Sequence, residues 1–347
     1  MDYSDITVVV QGPVQTFSDR PQEPNITHKC LASIRQHLPG AHILLSTWPD
    51  QDLTGLDYDT LVVSEDPGSN SRNYTLKGQA QKYNNNRQIV SSCEGLKRVT
   101  TRYAMKLRSD NFLTGNGFVA LQKQYPKRSD QYRFFQEHVV VCDVFTRRYA
   151  KGYPVAFHVS DFFYFGRTED VLALWDFPLF EDFQPSLATP IHPGFPDFVI
   201  DCTQALFLAA LRKFDSRITL DSLLDNTSEK LELSRHIIAN NLIVASIDKI
   251  GLGLCQKFLG QARVSRASGQ VAHLQFFEWE KSYQQYCDGD FVVGQYWQKS
   301  VPLFIQRCIH VFPTRLQTRL KLYKRKSLGE KVAQKILMQT HAADKHQ

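Results

Sequence analysis

Short apolar runs alternate with segments of helical periodicity from residue 6 to residue 108. Residues 6–10 form a β-branched run that is apolar on both faces, which is typical of a strand buried in a parallel sheet. A helical stripe over residues 30–38 and a second apolar run at 42–46 complete a strand-helix-strand unit. The alternation predicts an α/β fold with an open, mostly parallel Rossmann-type sheet flanked by helices.

The same alternation continues further along the chain. It predicts strands at 60–64, 103–108 and 162–165, and helices at 84–99, from Thr168 onward, and at 203–214. From about residue 231 the pattern is mainly helical. We therefore expect an α/β domain over residues 1–230 and a mainly helical region over residues 231–347.

Composition narrows the class of protein. Hydrophobic residues at 42% and charged residues at 22% are ordinary for a globular chain and exclude intrinsic disorder. The 7 cysteines are odd in number and form no CxxC pair, which indicates a reducing compartment rather than a disulfide framework or a zinc site. No basic leader and no membrane-length apolar run are visible, so we expect a cytoplasmic location.

The net charge of +6 is unevenly distributed. Residues 301–347 hold ten Lys and Arg residues against Glu330 and Asp344. A broken apolar stripe beside these cations, over about residues 313–347, predicts a tail that lies on an anionic membrane surface. The alternative is a solvated helix packed on the body. Nucleic acid is excluded as a partner, because the excess cations are confined to the terminus.

Candidate chemistry lies where strands end, because ligands of open α/β sheets bind beyond the carboxyl ends of the strands. Gln11 and Gly12 follow the first strand; the glycine allows close approach of a ligand to the backbone, and the amide offers a donor and an acceptor. A simple strand-ending turn is the alternative.

The strand at 103–108 carries the most diagnostic pattern. Strand alternation places Lys106, Arg108 and Asp110 on one face, and charged residues in a sheet are costly to bury without a partner. We expect them to face a cleft that binds a polyanion, with Asp110 holding Mn²⁺ or Mg²⁺. Alternatively, Asp110 caps a turn and the cations lie on an edge strand.

Four further residues are candidates. Asn86 and Arg87 open the predicted helix at 84–99, where free amides and a guanidinium suit a diphosphate, although asparagine is also a favoured N-cap. Asp161 and Asp201 are candidates for the general base that deprotonates an acceptor hydroxyl. Each of the two could equally be a turn residue or a helix cap.

Several segments in order carry a resemblance to a known family: residues 7–13 (TVVVQGP), 86–89 (NRQI), 106–111 (KLRSDN), 160–166 (SDFFYFG) and 240–241 (NN). With them the chain resembles the WavE-type lipopolysaccharide synthesis proteins, which look like GT-A glycosyltransferases, from residue 6 to about residue 286. The resemblance implies a GT-A-like sheet and transfer of a sugar from a nucleotide-sugar donor to a lipopolysaccharide or capsule glycan of the bacterial cell envelope.

The resemblance also implies roles for residues. Gln11 and Gly12 would line the nucleotide, Arg87 would approach the diphosphate, and Ser109-Asp110-Asn111 would take the place of the DxD motif. A serine replaces the first carboxylate of that motif, so Lys106 and Arg108 would supply part of the charge that neutralises the leaving group. A lipid-linked acceptor would place the protein peripherally at the cytoplasmic face of the inner membrane.

Two rival functions remain open. A sugar-phosphate nucleotidyltransferase uses a similar sheet, but a basic, glycine-rich loop usually follows its first strand, and residues 11–15 lack a basic residue. A non-catalytic glycan-binding or assembly subunit would retain the sheet without the full metal motif, and Ser109 is compatible with it.

Overall fold

The structure, a computed structural model, describes residues 2–16, 23–74, 79–183, 199–259, 270–321 and 338. The strands are β1 (Ile6–Gln11), β2 (His42–Thr47), β3 (Thr60–Val63), β4 (Asn70–Tyr74), β5 (Ala80–Tyr83), β6 (Tyr103–Arg108), β7 (Asn111–Leu113), β8 (Val139–Cys142), β9 (Tyr149–Ala150), β10 (Tyr153–Pro154), β11 (Phe163–Arg167), β12 (Leu242–Ala245) and β13 (Leu252–Leu254).

The helices are α1 (Ile26–His37), α2 (Asn85–Leu96), α3 (Gly117–Gln124), α4 (Thr168–Ala173), α5 (Cys202–Leu211), α6 (Ser228–Asn241), α7 (Ile247–Ile250), α8 (Gln256–Leu259), α9 (Phe276–Tyr286) and α10 (Tyr296–His310). Residues 314–321 are helical as well. The predicted helices at 30–38, 84–99 and 203–214 correspond to α1, α2 and α5. None of the helices in the described ranges is long and apolar enough to span a membrane.

Seven strands form the central sheet, in the order β3-β2-β1-β6-β11-β8-β12. β1, β2, β3 and β6 run parallel, as do β8 and β12, whereas β11 is antiparallel to both of its neighbours. Helices flank the sheet, and further helices follow it at the C-terminal end. The predicted α/β fold with an open, mostly parallel sheet is confirmed.

β1 is an interior strand of the sheet, and all of its residues are buried, including the β-branched run Val8–Val10. It pairs with β2 on one side and with β6 on the other, and Gln11 lies in register with both Ser46 and Arg108. The strand order therefore reverses between β1 and β6, and three parallel strands end side by side there. Such a reversal creates a crevice at the carboxyl ends of the strands.

The predicted boundary near residue 230 falls inside α6. Beyond it, β12 pairs in parallel with β8 and completes the central sheet, so the region assigned as helical contributes a strand to the α/β core. Both β8 and β12 are four-residue apolar runs that the sequence pattern did not separate from their surroundings. The predicted tail over residues 313–347 lies outside the described residues apart from 313–321 and 338.

Candidate functional site

A cleft of about 470 Å³ opens at the carboxyl ends of β1, β2 and β6, beside the first turns of α2. It lies at the reversal of strand order described above. Its lining combines amides, hydroxyls, two arginines, two carboxylates and one indole: Gln11, Gly12, Pro13, Val14, Gln15, Trp48, Asp66, Asn84, Arg87, Gln88, Ser91, Arg108, Ser109 and Asp110.

The end of β1 forms the floor of the cleft. Gly12 has a φ of +114°, and a Cβ at this position would lie 3.2 Å from Ser109 Oγ, so a side chain would be strained and crowded here. Ser91 Oγ donates to Gln11 Oε1 over 2.7 Å and thereby fixes the amide of Gln11. The sequence-predicted residues Gln11 and Gly12 thus both lie in the cleft.

Arg108 lies between two carboxylates. Its Nε and Nη2 donate to the two oxygens of Asp110 over 2.8 and 2.9 Å, and its Nη1 lies 3.8 Å from Asp161 Oδ2. The guanidinium also lies against the rings of Phe162 and Phe258. Burial acts to lower the pKa of Arg108, but the attraction of Asp110 and Asp161 outweighs it and raises the pKa, so Arg108 stays charged.

Asp161 adjoins the cleft without being one of its lining residues. Gln88 Nε2 donates to Asp161 Oδ2 over 2.6 Å, and the side chain of Asp161 is 11% exposed. Two residues that do line the cleft, Gln88 and Arg108, therefore both contact Oδ2 of this carboxylate. A carboxylate that is fixed and close to solvent can accept a proton from a hydroxyl.

Arg87 lies at the rim, half-buried and paired with Asp66. Its Nε and Nη2 donate to the two oxygens of Asp66 over 2.8 and 2.7 Å, and Nη1 donates to Asn84 Oδ1 over 2.9 Å. The hydrogen bonds to Arg87 lower the pKa of Asp66. The cleft thus carries two bidentate arginine-carboxylate pairs, one at its rim and one at its base.

Lys106 does not line the cleft, contrary to the expectation from strand alternation. It is fully buried; its Nζ donates to the backbone oxygen of Asp161 and lies 4.3 Å from the ring centroid of Trp175. Burial lowers the pKa of Lys106 to about 7. The residue underlies the backbone of Asp161 instead of facing a ligand.

Asn86 is also directed away from the cleft. Its Nδ2 donates to Phe180 O over 2.9 Å, and its Oδ1 accepts from Phe180 N over 2.8 Å. This pair of hydrogen bonds ties the first turn of α2 to the segment that follows α4. The structure therefore gives Asn86 a supporting position rather than a place among the lining residues.

Asp201 caps α5 and is likewise absent from the lining of the cleft. Its Oδ1 accepts from Thr203 N and Thr203 Oγ1, and it lies 3.7 Å from His158 Nε2. Burial acts to raise the pKa of Asp201, but His158, Arg147 and the hydrogen bonds of Thr203 outweigh it and lower the pKa. A carboxylate of lowered pKa is a weak base.

The donor set of the cleft does not fit a divalent cation. Both oxygens of Asp110 accept from Arg108, so a cation would have to displace the guanidinium. Within the described ranges, no three His, Cys, Asp or Glu side chains are grouped as metal ligands. Mn²⁺ and Mg²⁺ need several oxygen ligands around the ion, whereas this site offers fixed positive charge from arginine.

Sequence reasoning missed several lining residues that simple rules could have found. Trp48 comes directly after β2, so the strand-end rule that identified Gln11 also applies to it. Gln88 and Ser91 follow Asn84 at intervals of four and seven residues, on the same face of the helix as Arg87. Asp66 had no such signal, because its place depends on the loop that carries it to Arg87.

Residues 6–310 match the family model described as WavE lipopolysaccharide synthesis. The matched range contains every residue that lines the cleft, together with Asp161 and Asp201. No curated protein matches the chain.

Proposed function

The chain belongs to the WavE lipopolysaccharide synthesis family, and we propose that it is a GT-A-like glycosyltransferase that moves a sugar from a nucleotide-sugar donor to a lipopolysaccharide or capsule glycan. The observation that carries the proposal is the cleft at the end of β1, β2 and β6. It combines an indole, fixed amides and two arginines at the position where open α/β sheets bind nucleotides.

The nucleoside would bind at the end of β1 and β2. Trp48 offers an aromatic surface for a base, and a base stacked on an aromatic ring gains about 1–3 kcal/mol. Gln11, whose Oε1 is held by Ser91, would present its amide to the base or ribose. Asp66 at the rim would accept a hydrogen bond from a ribose hydroxyl.

The diphosphate would lie between Arg87 and Arg108. Both guanidiniums are held by carboxylates, and on donor binding they would share their N–H groups between those carboxylates and the phosphate oxygens. Their positive charge would stabilise the nucleoside diphosphate as it leaves. Because the donor set does not fit a divalent cation, no step depends on one.

Asp161 would act as the general base. The acceptor hydroxyl oxygen forms a bond to the anomeric carbon, the bond from that carbon to the phosphate oxygen breaks, and the hydroxyl proton passes to the carboxylate of Asp161. Gln88 and Arg108 position this carboxylate beside the cleft. We place Asp161 ahead of Asp201 because the lining residues Gln88 and Arg108 contact Asp161. Asp201 instead contacts Thr203 and His158, and its pKa is lowered.

The proposal names the acceptor by its chemical class. A lipopolysaccharide or capsule glycan carried on a lipid is reached at a membrane surface, which for this protein would be the cytoplasmic face of the inner membrane. This location follows from the proposed substrates, because the nucleotide-sugar donor and the lipid-linked acceptor would meet there.

The test is release of nucleoside diphosphate from a panel of nucleotide sugars, compared between the native protein and Arg108→Gln. Arg217→Gln is the matched control, because Arg217 makes the same bidentate pair with Asp215, two residues away, on an exposed surface. We expect Arg108→Gln to lower turnover at least a hundredfold, and Arg217→Gln to retain native turnover.

Three results would overturn the proposal. Absence of both thermal stabilisation and diphosphate release with every donor would leave the non-catalytic glycan-binding subunit. Formation of pyrophosphate would indicate a nucleotidyltransferase. Equal loss in both arginine variants would show that the effect comes from folding rather than from the cleft. A further variant, Asp161→Asn, should keep donor binding and lose turnover.

A further inference from the structure

Helix α10 exposes an unusually apolar face. Large apolar side chains on one side of this helix are more than half exposed: Trp297 (76%), Val301 (51%), Phe304 (59%), Ile305 (54%) and Ile309 (61%). They recur at three- and four-residue intervals, so they form a continuous stripe along the helix. We call these five residues the α10 stripe.

The opposite side of α10 holds the helix firmly to the body of the protein. Leu303 and Arg307 are buried, and Arg307 Nη2 donates to Glu278 Oε2 over 2.8 Å. Arg307 also donates to the backbone oxygens of Val271 and His273. The α10 stripe is therefore fixed outward by a buried ion pair, and it is not an unpacked helix end.

The apolar surface continues beyond α10, in a part of the sequence that is rich in basic residues. Leu316 and Leu320, four residues apart in the helical segment 314–321, are 66% and 53% exposed. Between Asp290 and Glu330 the sequence contains no acidic residue but eight basic ones: Lys299, Arg307, Arg315, Arg319, Lys321, Lys324, Arg325 and Lys326.

We propose that the α10 stripe docks on an anionic lipid bilayer. Apolar side chains in one plane enter the headgroup region, and flanking cations are attracted to anionic lipids. Charge favours this occupant over a second copy of the chain, because self-association would bring two acid-free basic segments together. The docking surface thus lies on the body of the protein, upstream of most of the tail that the sequence indicated.

Trp297 provides a direct readout of docking. The chain has 4 tryptophans, and the other three, Trp48, Trp175 and Trp279, are buried. Titrating the full-length protein with vesicles of phosphatidylglycerol and phosphatidylcholine in equal parts should shift the emission of Trp297 to the blue and protect it from acrylamide. Vesicles of phosphatidylcholine alone should give a much smaller shift. Trp297→Phe should remove the shift while leaving vesicle co-sedimentation intact.

The variant that removes the surface is Trp297→Ser combined with Phe304→Ser and Ile305→Ser. The matched control is Val63→Ser with Leu179→Ser, which changes exposed apolar residues elsewhere. We expect the triple variant to bind anionic vesicles at least tenfold more weakly and the control to bind as the native protein does. Both should keep the native melting temperature, because all the substituted side chains are exposed.

Two outcomes would overturn the proposal. One is unchanged vesicle binding in the triple variant, or no binding by the native protein. The other is a native dimer in vesicle-free solution that the triple variant converts to a monomer, which would make the α10 stripe an interface between copies of this chain. Because vesicle binding needs no donor or acceptor, its failure is separate from failure of the proposed glycosyl transfer.

Discussion

Lys106 places an amino group in the middle of the core, and its protonation makes stability depend on pH. Burial lowers the pKa of Lys106 from its ordinary 10.5 to about 7, although Asp161 acts in the opposite direction. The unfolded chain therefore binds more protons than the folded chain between these two pH values. The free energy of unfolding must rise with pH across this window, since the desolvation penalty on the charged form disappears.

We predict that the native protein gains about 2 kcal/mol of stability between pH 7 and pH 9 relative to Lys106→Met. Comparing the two proteins cancels the contributions of other titrating groups. Urea denaturation at the two pH values measures the difference. Equal pH dependence in both proteins would show that the amino group of Lys106 keeps its ordinary pKa in the folded protein, as it would if it reached water.

Individual residues of the candidate site differ in how far the sequence determines their position. Strand ends identified Gln11, Gly12, Arg108 and Asp110, because a strand that stops at a polar residue presents it to the crevice. Alternation also placed Lys106 with Arg108, but it could not show that packing around Trp175 closes over the lysine. Burial at one position along a strand depends on which helix covers it, and the strand's own sequence does not contain that information.

Helix α2 supplies one wall of the cleft, and a single glycine sets its distance from the sheet. A Cβ on Gly95 would lie 2.5 Å from Val9 Cγ1 and 3.0 Å from Ser46 Cβ, so the helix rests directly on β1 and β2. Arg87, Gln88 and Ser91 lie on the same helix. Their positions in the cleft therefore depend on close packing one or two turns away.

Gly95→Ala should push α2 away from the sheet. We expect a loss of about 1–3 kcal/mol in stability from overpacking and several-fold weaker nucleotide binding, because the hydrogen bond from Ser91 to Gln11 lengthens. Gly289→Ala is the control, since a Cβ there meets nothing within 4 Å. Denaturant unfolding and nucleotide titration give the two readouts. A stable Gly95→Ala protein with native affinity would contradict this account of α2.

The buried pair of Arg307 and Glu278 joins α10 to α9. Arg307→Met should lower the free energy of unfolding by about 3 kcal/mol. This value is at the low end for a broken buried pair, because Arg148 remains 3.1 Å from Glu278. Hydrogen exchange should accelerate in α10 while α2 exchanges as in the native protein. The control is Lys299→Met, on an exposed face of the same helix. It should leave hydrogen exchange in both α10 and α2 unchanged. Uniform acceleration throughout the protein would argue against a local role for the pair.

Among the secondary-structure elements, apolar strands bounded by turn residues, such as β1, were predictable, whereas β12 was not. Gly12 and Pro13 mark the end of β1, whereas β12 follows α6 directly, with neither Gly nor Pro between them. The apolar pattern of a four-residue run after a helix does not distinguish a short strand from a continuation of that helix. The antiparallel direction of β11 has no local signal at all, because it follows from which neighbours the strand finds in the sheet.

In the whole molecule, one sheet joins strands from widely separated parts of the chain, from residue 6 to residue 245. β3 forms one edge and β12 the other, and β12 comes from the part of the chain that was predicted to be a separate helical region. α6 and α9 pack against each other and against β12. We therefore expect the body to unfold as one cooperative unit, with β12 required for stability although it lies far from the cleft.

Ile243→Asp tests this expectation. Ile243 is fully buried and pairs with Val140, so an aspartate places an unpaired carboxylate in the core and should cost about 4 kcal/mol or more. Val63→Asp is the control at the opposite edge: Val63 is half-exposed on β3, and its substitution should change stability by less than about 0.5 kcal/mol.

Thermal unfolding followed by near-UV and far-UV circular dichroism distinguishes two outcomes. A single transition at a lower temperature, seen by both probes, is expected for Ile243→Asp, because loss of β12 unpairs β8 and through it the rest of the sheet. Two transitions, with the upper one at the native temperature, would instead show that residues before 230 fold independently of β12.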